Sequence, residues 1–229
     1  MIELHSWPTP NGMKISVMLE EADIEHSVHP VSIRAGEQFK PEFLAISPNN
    51  RIPAIIDTEP TGGGEPISLF ESGAIMLYLA EKTGRFIPTD NHGRAEVLQW
   101  LFWQMGGLGP MLGQNGHFNI YAPEKIPYAI DRYIAESTRL YGVMDKRLSD
   151  RDFLAGDYSI ADMACYPWIV PHEAHKQDLN KHPHLKRWFE TIAARPAVVK
   201  AYAEKDALYP VNQTPMTDEQ KRLLFGFKK

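Results

Sequence analysis

The hydrophobic pattern changes period along the chain. Short apolar runs alternate with helical stripes over the first third, and helical stripes alone fill the rest. Ile2–Ser6 reads as a strand and Trp7–Gly12 as the loop after it. A helix follows, with Ile15, Met18 and Leu19 on its inner face and Glu20 and Glu21 outside. Pro10 suits its first turn, where a missing N–H costs nothing. Glu25–Ser32 is a second strand and Pro41–Ile46 a short helix. Ala54–Asp57 and Ile67–Phe70 flank Thr58–Pro66, whose Gly62, Gly63 and Gly64 mark a turn between two strands. After Phe70 the helical period returns in Ile75, Tyr78 and Leu79, with Glu71-Ser72-Gly73 at the helix start.

The resulting βαβαββα order is an α/β layout of the thioredoxin type. From Gly93 onward the pattern is all helical. Leu98, Leu101, Phe102 and Met105 form one stripe, which Gly106–Pro110 is expected to disturb; Gln114–Pro127 reads as loop. Ile130, Tyr133, Ile134, Tyr141, Met144 and Leu148 hold a face for five turns. Ser159-Ile160-Ala161-Asp162 is a capping-box variant, with Tyr158 and Met163 placed as a hydrophobic staple. Leu185–Ala194 is a further helix and Pro196–Ala203 begins another. Thr217-Asp218-Glu219-Gln220 is a second box before Leu223-Leu224-Phe225. The expected organisation is α/β plus all-α: a thioredoxin-like domain over 1–84, a linker over 85–92, a helical bundle over 93–210 and a tail with a short helix over 211–229.

Composition narrows the function. The 229 residues are 43% hydrophobic and 23% charged, ordinary for a globular protein with a real core. A net charge of −5 argues against a nucleic-acid surface. No apolar run reaches the roughly 18 residues that a membrane span needs, and Met1–Trp7 lacks the features of a signal peptide. A single cysteine forbids an internal disulfide, so a cytoplasmic, reducing setting is expected. Cys165 lies among Met163, Ala164, Tyr166 and Trp168, as a packed thiol would. His172 and His175 are one residue too close for a zinc helix. Asn212-Gln213-Thr214 matches a glycosylation acceptor, idle in a cytoplasmic protein.

Two places carry chemistry. The N–H groups and positive dipole end of the helix at Ser72 bind a carboxylate, the Ser72 hydroxyl adds a donor, and Glu71 suits an ammonium. Together they fit the α-amino-acid end of a γ-glutamyl peptide, although a plain capped helix start has the same residues. A cis bond at Ile52-Pro53 would turn the Ile52 backbone outward to meet an extended peptide, whereas a trans bond makes Pro53 an edge proline. The second place is Thr9-Pro10-Asn11, at the end of the first strand. It has no cysteine, and no tyrosine precedes Tyr78. A hydroxyl, a side-chain amide and a backbone N–H at a helix N-terminus remain, which by themselves read as a loop and helix cap.

The segments S-P-N-N-R-I-P-A-I, F-E-S-G-A-I-M-L-Y-L-A-E-K-T-G and W-L-F-W-Q-M-G-G-L-G-P-M-L-G-Q-N resemble cytosolic glutathione transferases of the nu class, from Ile2 to about residue 210. The resemblance implies glutathione as co-substrate, one or two molecules or the disulfide, and no metal. It implies that Thr9 and Asn11 contact the glutathione sulfur as the catalytic pair. Asn11, Gln38, Ile52, Pro53, Glu71 and Ser72 would bind glutathione. Arg132 resembles a residue reaching a second glutathione, against the simpler reading of a surface pair with Glu136. The implied activity is glutathione-dependent reduction of a small-molecule disulfide, with weak transferase or peroxidase action on electrophiles, in a homodimer. The alternative is a non-catalytic regulator, like the fungal nitrogen regulator of this group. That protein carries a long polar extension, whereas this chain starts at its first strand, and the retained Thr9 and Asn11 favour an enzyme.

Overall fold

The computed structural model describes residues 1–209 and 215–226, so the Asn212–Thr214 acceptor motif lies outside the described residues. Its chain separates into two units, Met1–Thr83 together with the segment from Pro196 onward, and Gly84–Arg195.

In the first unit β1 (Ile2–Ser6), β2 (His26–Pro30), β3 (Ala54–Asp57) and β4 (Ile67–Phe70) form one sheet in the order β2-β1-β3-β4. β2 runs parallel to β1, while β3 and β4 are antiparallel to their neighbours. Helix α1 (Pro10–Ala22) connects β1 to β2, and the short α2 (Pro41–Leu44) follows β2. Helix α3 (Ser72–Thr83) follows β4. Alternation along β1 buries Ile2, Leu4 and Ser6, and these join Ile15, Met18, Leu19, Ile75, Met76 and Leu79 in the core. Asp57 holds α3 to the sheet, accepting from Tyr78 Oη and pairing with Lys82 Nζ, both at 2.7 Å. Burial pushes the Asp57 carboxyl up, but those two partners and the Glu59 N–H outweigh it and hold it below its usual range.

The outer face expected for α1 is not solvent-exposed. Glu21 is buried, and Glu20 pairs with Lys200 at 2.8 Å and His26 at 3.8 Å. The cause is α9 (Pro196–Leu208), which packs on α1. The sequence pattern places these residues in the helical bundle over 93–210, but they cluster with the first unit. Helical periodicity shows that a segment is a helix and not which surface it docks on. Helix α10 (Asp218–Phe225) is closed by the Thr217–Gln220 box and seats Leu223 against Gly36, whose φ of 78° suits glycine.

The second unit holds α4 (Asn91–Trp103), α5 (Gly109–Gly116), α6 (Pro127–Arg147), α7 (Ile160–Ile169) and α8 (Pro183–Ala193). Here the glycine signals mislead. Gly106–Pro110 does not break the helix, because a π turn over Gln104–Leu108 carries α4 into α5. Gln114–Pro127 is also more helical than expected, with α5 followed by a π turn over His117–Tyr121. Gly109 serves close packing: a Cβ there would lie 2.6 Å from Gln104 Nε2 and 3.2 Å from Trp168 Nε1. Asn115, fully buried, donates to Ser137 Oγ at 2.7 Å and to the His175 carbonyl at 3.0 Å, tying α5 and α6 to the segment after α7.

His175 is 5% exposed, and its Nδ1 has no hydrogen-bond partner among the described residues. Burial first, then His172 nearby, lower its pKa from 6.5 to about 4. The unfolded chain therefore takes up this proton before the folded chain does. Stability present above pH 6.5 is lost as pH falls toward 4, by about 2 kcal/mol at pH 5. His175→Gln should flatten the fall in denaturation midpoint between pH 7 and 5; a slope equal to the parent's would rule His175 out as its source.

Candidate functional site

Register brings the predicted site residues of the first unit, Thr9, Asn11, Gln38, Ile52, Pro53, Glu71 and Ser72, to one end of the sheet. His5 at the close of β1 lies opposite Ala54 at the start of β3, and Ala54 lies opposite Phe70 at the close of β4. The Trp7–Thr9 loop, Ile52-Pro53 and Glu71-Ser72 therefore all leave the sheet at the same edge. The loop carrying Gln38 leaves from that end of β2, next to β1, where the Val31 N–H donates to Ser6 O at 2.8 Å. In open α/β sheets ligands bind at the carboxyl ends of the parallel strands, which is this edge.

Thr9 is the N-cap of α1. Its Oγ1 accepts from the Gly12 N–H at 3.3 Å, and its carbonyl accepts from Met13 at 2.9 Å. The capping reading of Thr9 is thus correct, and it does not compete with the chemical one. A capping hydroxyl uses a lone pair and keeps its proton to donate elsewhere. Asn11 stands at the second helical position. Gly12 permits the tight fold of the loop onto the helix, since any Cβ would collide with Trp7 O and Ser6 Oγ.

The Ile52-Pro53 bond is cis. The loop before it is held by Ser47, fully buried, whose Oγ donates to Arg51 O at 2.8 Å, and by Asn50 at a φ of 49°. Gln38 is 5% exposed; its Nε2 donates to Ile33 O at 3.4 Å, while its buried Oε1 has no hydrogen-bond partner among the described residues. Such an acceptor is suited to a peptide N–H.

Glu71 has a φ of 70°, in the left-handed region that a non-glycine residue rarely adopts, while its carbonyl accepts the first α3 bond from Ile75 N–H at 2.9 Å. Backbone of this kind costs about 1–3 kcal/mol and concentrates at ligand clamps. Ser72, at the first helical position, is 6% exposed.

One residue of this group was missed from sequence. Lys14 is 1% exposed, and its Nζ lies 3.3 Å from Ser72 Oγ. An ammonium only donates, so the serine oxygen accepts here and the serine proton is directed to a different partner. Lys14 thus stands behind the hydroxyl as a donor. The signal was present in the chain: Lys14 falls one helical turn before Met18, on the apolar stripe of α1.

Arg132 belongs to the second unit, on α6, with its side chain 56% exposed. It lies 3.8 Å from Glu136, which has a closer partner in Arg139 at 2.6 Å. Cys165 is fully buried in α7. A groove of about 690 Å³ at the other end of α1 is lined by Glu20, Asp23, His26 and Lys200 among others, and includes none of the site residues named above.

Comparison with known proteins fits this geometry. Residues 1–81 match the family model "Glutathione S-transferase, N-terminal domain", and residues 127–196 match "Glutathione S-transferase, C-terminal domain". The Escherichia coli K12 protein "Disulfide-bond oxidoreductase YfcG" is 57% identical over 202 residues, covering 88% of this chain and 94% of its own. A glutathione transferase family member from Pseudomonas fluorescens, solved with two glutathione bound, superposes with a TM-score of 0.82 at 44% identity, covering 87% of this chain and 91% of that one. A Pseudomonas putida glutathione transferase, solved with one glutathione disulfide per subunit, has a TM-score of 0.83 at 43% identity over 87% of this chain and 90% of its own. On two matched family models and a relative of this identity, the chain belongs to the glutathione S-transferase family.

Proposed function

We propose that this protein binds glutathione at the sheet edge and uses its thiolate to reduce small-molecule disulfides. One observation carries the reading most directly. The reacting end of the site offers a hydroxyl, an amide and a helix N-terminus, while the chain's single cysteine is fully buried in α7. The nucleophilic sulfur must then come with the ligand. The relative YfcG is named a disulfide-bond oxidoreductase, and the similar structures hold two glutathiones or the disulfide, which supports this choice.

The γ-glutamyl carboxylate meets Ser72 at the α3 N-terminus, backed by Lys14, and its ammonium meets Glu71. The Ile52 backbone, shaped by Pro53, and Gln38 hold the peptide. Thr9 and Asn11 donate to the sulfur. Arg132 is assigned to a second glutathione.

The magnitudes suffice. A free thiol has a pKa near 8.5, so under about a tenth is ionised at pH 7. A helix N-terminus supplies roughly 0.3–1 kcal/mol, up to about 2 when partly buried. Each hydrogen bond to the charged sulfur adds about 1.5 kcal/mol in a favourable case. At ~1.4 kcal/mol per pKa unit, these are enough to lower the thiol by one to two units without a tyrosine. The thiolate attacks one sulfur of the disulfide, forming a mixed disulfide and releasing the other sulfur as a thiolate. A second glutathione thiolate then attacks the glutathione sulfur of the mixed disulfide, yielding glutathione disulfide and the second reduced thiol. The protein positions and stabilises charge and forms no covalent bond. Weak transferase and peroxidase activities follow from the same thiolate. The setting is the cytoplasm, and the assembly a homodimer, which light scattering checks against the chain's 26.0 kDa.

The deciding assay is glutathione-dependent reduction of a small model disulfide, run beside aryl-halide conjugation. Cys165→Ala should retain nearly all the reductase rate, and loss of most of it in a folded variant would overturn the mechanism. Absence of all turnover with intact glutathione binding would leave the non-catalytic reading.

A further inference from the structure

Glu3, His5 and His29 meet on the sheet face opposite buried Ile2, Leu4 and Ser6. Parallel pairing of β1 and β2 puts His5 beside His29 and Glu3 beside Ser27. The two imidazoles stack with centroids 4.8 Å apart and planes 14° from parallel. His5 Nε2 lies 3.9 Å from Glu3 Oε2, and His29 Nε2 lies 3.1 Å from Ser27 Oγ. Both rings therefore turn the same nitrogen toward the Glu3–Ser27 step. His5 Nε2 is buried and has no hydrogen-bond partner among the described residues. An orphaned buried polar atom costs about 1–3 kcal/mol, so the arrangement calls for a group to satisfy it.

An imidazole nitrogen offers a lone pair, as a metal ligand must.

We propose that Glu3, His5 and His29 form a binding site for a divalent transition ion of the zinc, nickel and copper class. Two imidazole nitrogens and one carboxylate suit these borderline ions, whereas magnesium and calcium seek all-oxygen shells. The three donor atoms lie within 4.8 Å of one another. Ligands at about 2.0–2.1 Å around a tetrahedral zinc stand roughly 3.4 Å apart, so the site closes when the stacked rings rotate out of parallel and their lone pairs converge. His29 is exposed on the edge strand β2, which leaves a solvent-facing position for a water ligand and a path of entry. An ion there ties the edge strand to β1 and stabilises the folded chain by linkage. The site uses no residue assigned to glutathione.

Calorimetric titration of the untagged protein with zinc chloride, in buffer free of glutathione and other thiols, tests this. The expected result is a single saturable ion per chain and a thermal midpoint that rises with zinc. In His29→Gln, an exposed position that should fold normally, affinity should fall by about tenfold or more, with Glu3→Gln weakened in the same direction. His172→Gln, in the other histidine pair, should bind as the parent does. No saturable binding to the parent with zinc in large excess, or equal affinity in the parent and a folded His29→Gln, would overturn the proposal.

Discussion

Replacing Ser72 by alanine should weaken glutathione binding by about 1–3 kcal/mol while leaving the saturated rate of disulfide reduction almost unchanged. In the proposed site the hydroxyl would contact the γ-glutamyl carboxylate equally before and during reaction, so its loss should raise KM and spare kcat. The substitution also removes the acceptor 3.3 Å from buried Lys14, which adds to the loss in the same direction. Lys14→Met should weaken binding too, through the carboxylate. Asn11→Ala should behave differently, because in the proposed site its donor would gain value as the sulfur becomes charged. It should raise the pKa of bound glutathione and lower the saturated rate near neutral pH, with partial recovery at higher pH. Ultraviolet absorption of the bound thiolate against pH reads this directly. If Asn11→Ala leaves that titration in place, thiol activation belongs to Thr9 and the helix N-terminus. If Ser72→Ala leaves affinity unaltered, the carboxylate is bound elsewhere.

Asp162→Ala should cost the largest share of stability, about 3–5 kcal/mol, the range for stranding buried partners of a charge. The carboxylate is fully buried. It accepts from the Leu154 N–H at 2.9 Å, the Ser159 N–H at 3.1 Å, Ser159 Oγ at 3.2 Å and Trp188 Nε1 at 2.8 Å. Burial pushes its pKa up to about 6 against those four donors, so the carboxylate is ionised at neutral pH and held by them. Alanine leaves two backbone N–H groups and an indole N–H without their acceptor, and removes half of the capping box at the head of α7. An asparagine side chain retains one acceptor oxygen, so Asp162→Asn should lose less than Asp162→Ala. Urea denaturation measures both. A loss below about 1 kcal/mol for alanine would mean that these donors find other acceptors.

Features made by neighbours in sequence were legible in sequence. Both capping boxes were readable, because an N-cap and the residue three positions on meet whenever a helix forms, whatever surrounds it. The strand runs, the cap at Thr9 and the helix start at Ser72 were readable for the same reason, and the family motifs added Gln38 and Ile52. Other features depend on segments distant in the chain. Glu20 looked solvent-facing until Lys200 of α9 was set against it, and Gly109 looked like a break until Trp168 and Gln104 were set against it. Lys14 meets Ser72 across 58 positions, and His5 meets His29 only through the pairing of β1 with β2. A charged residue on an apolar stripe announces that something must compensate it, but not which group does. Local hydrogen-bond rules and periodicity thus determined the elements and their ends. Only tertiary packing decided which faces are covered and which buried charges meet, because burial and Coulomb energies depend on atoms that the chain brings together from afar.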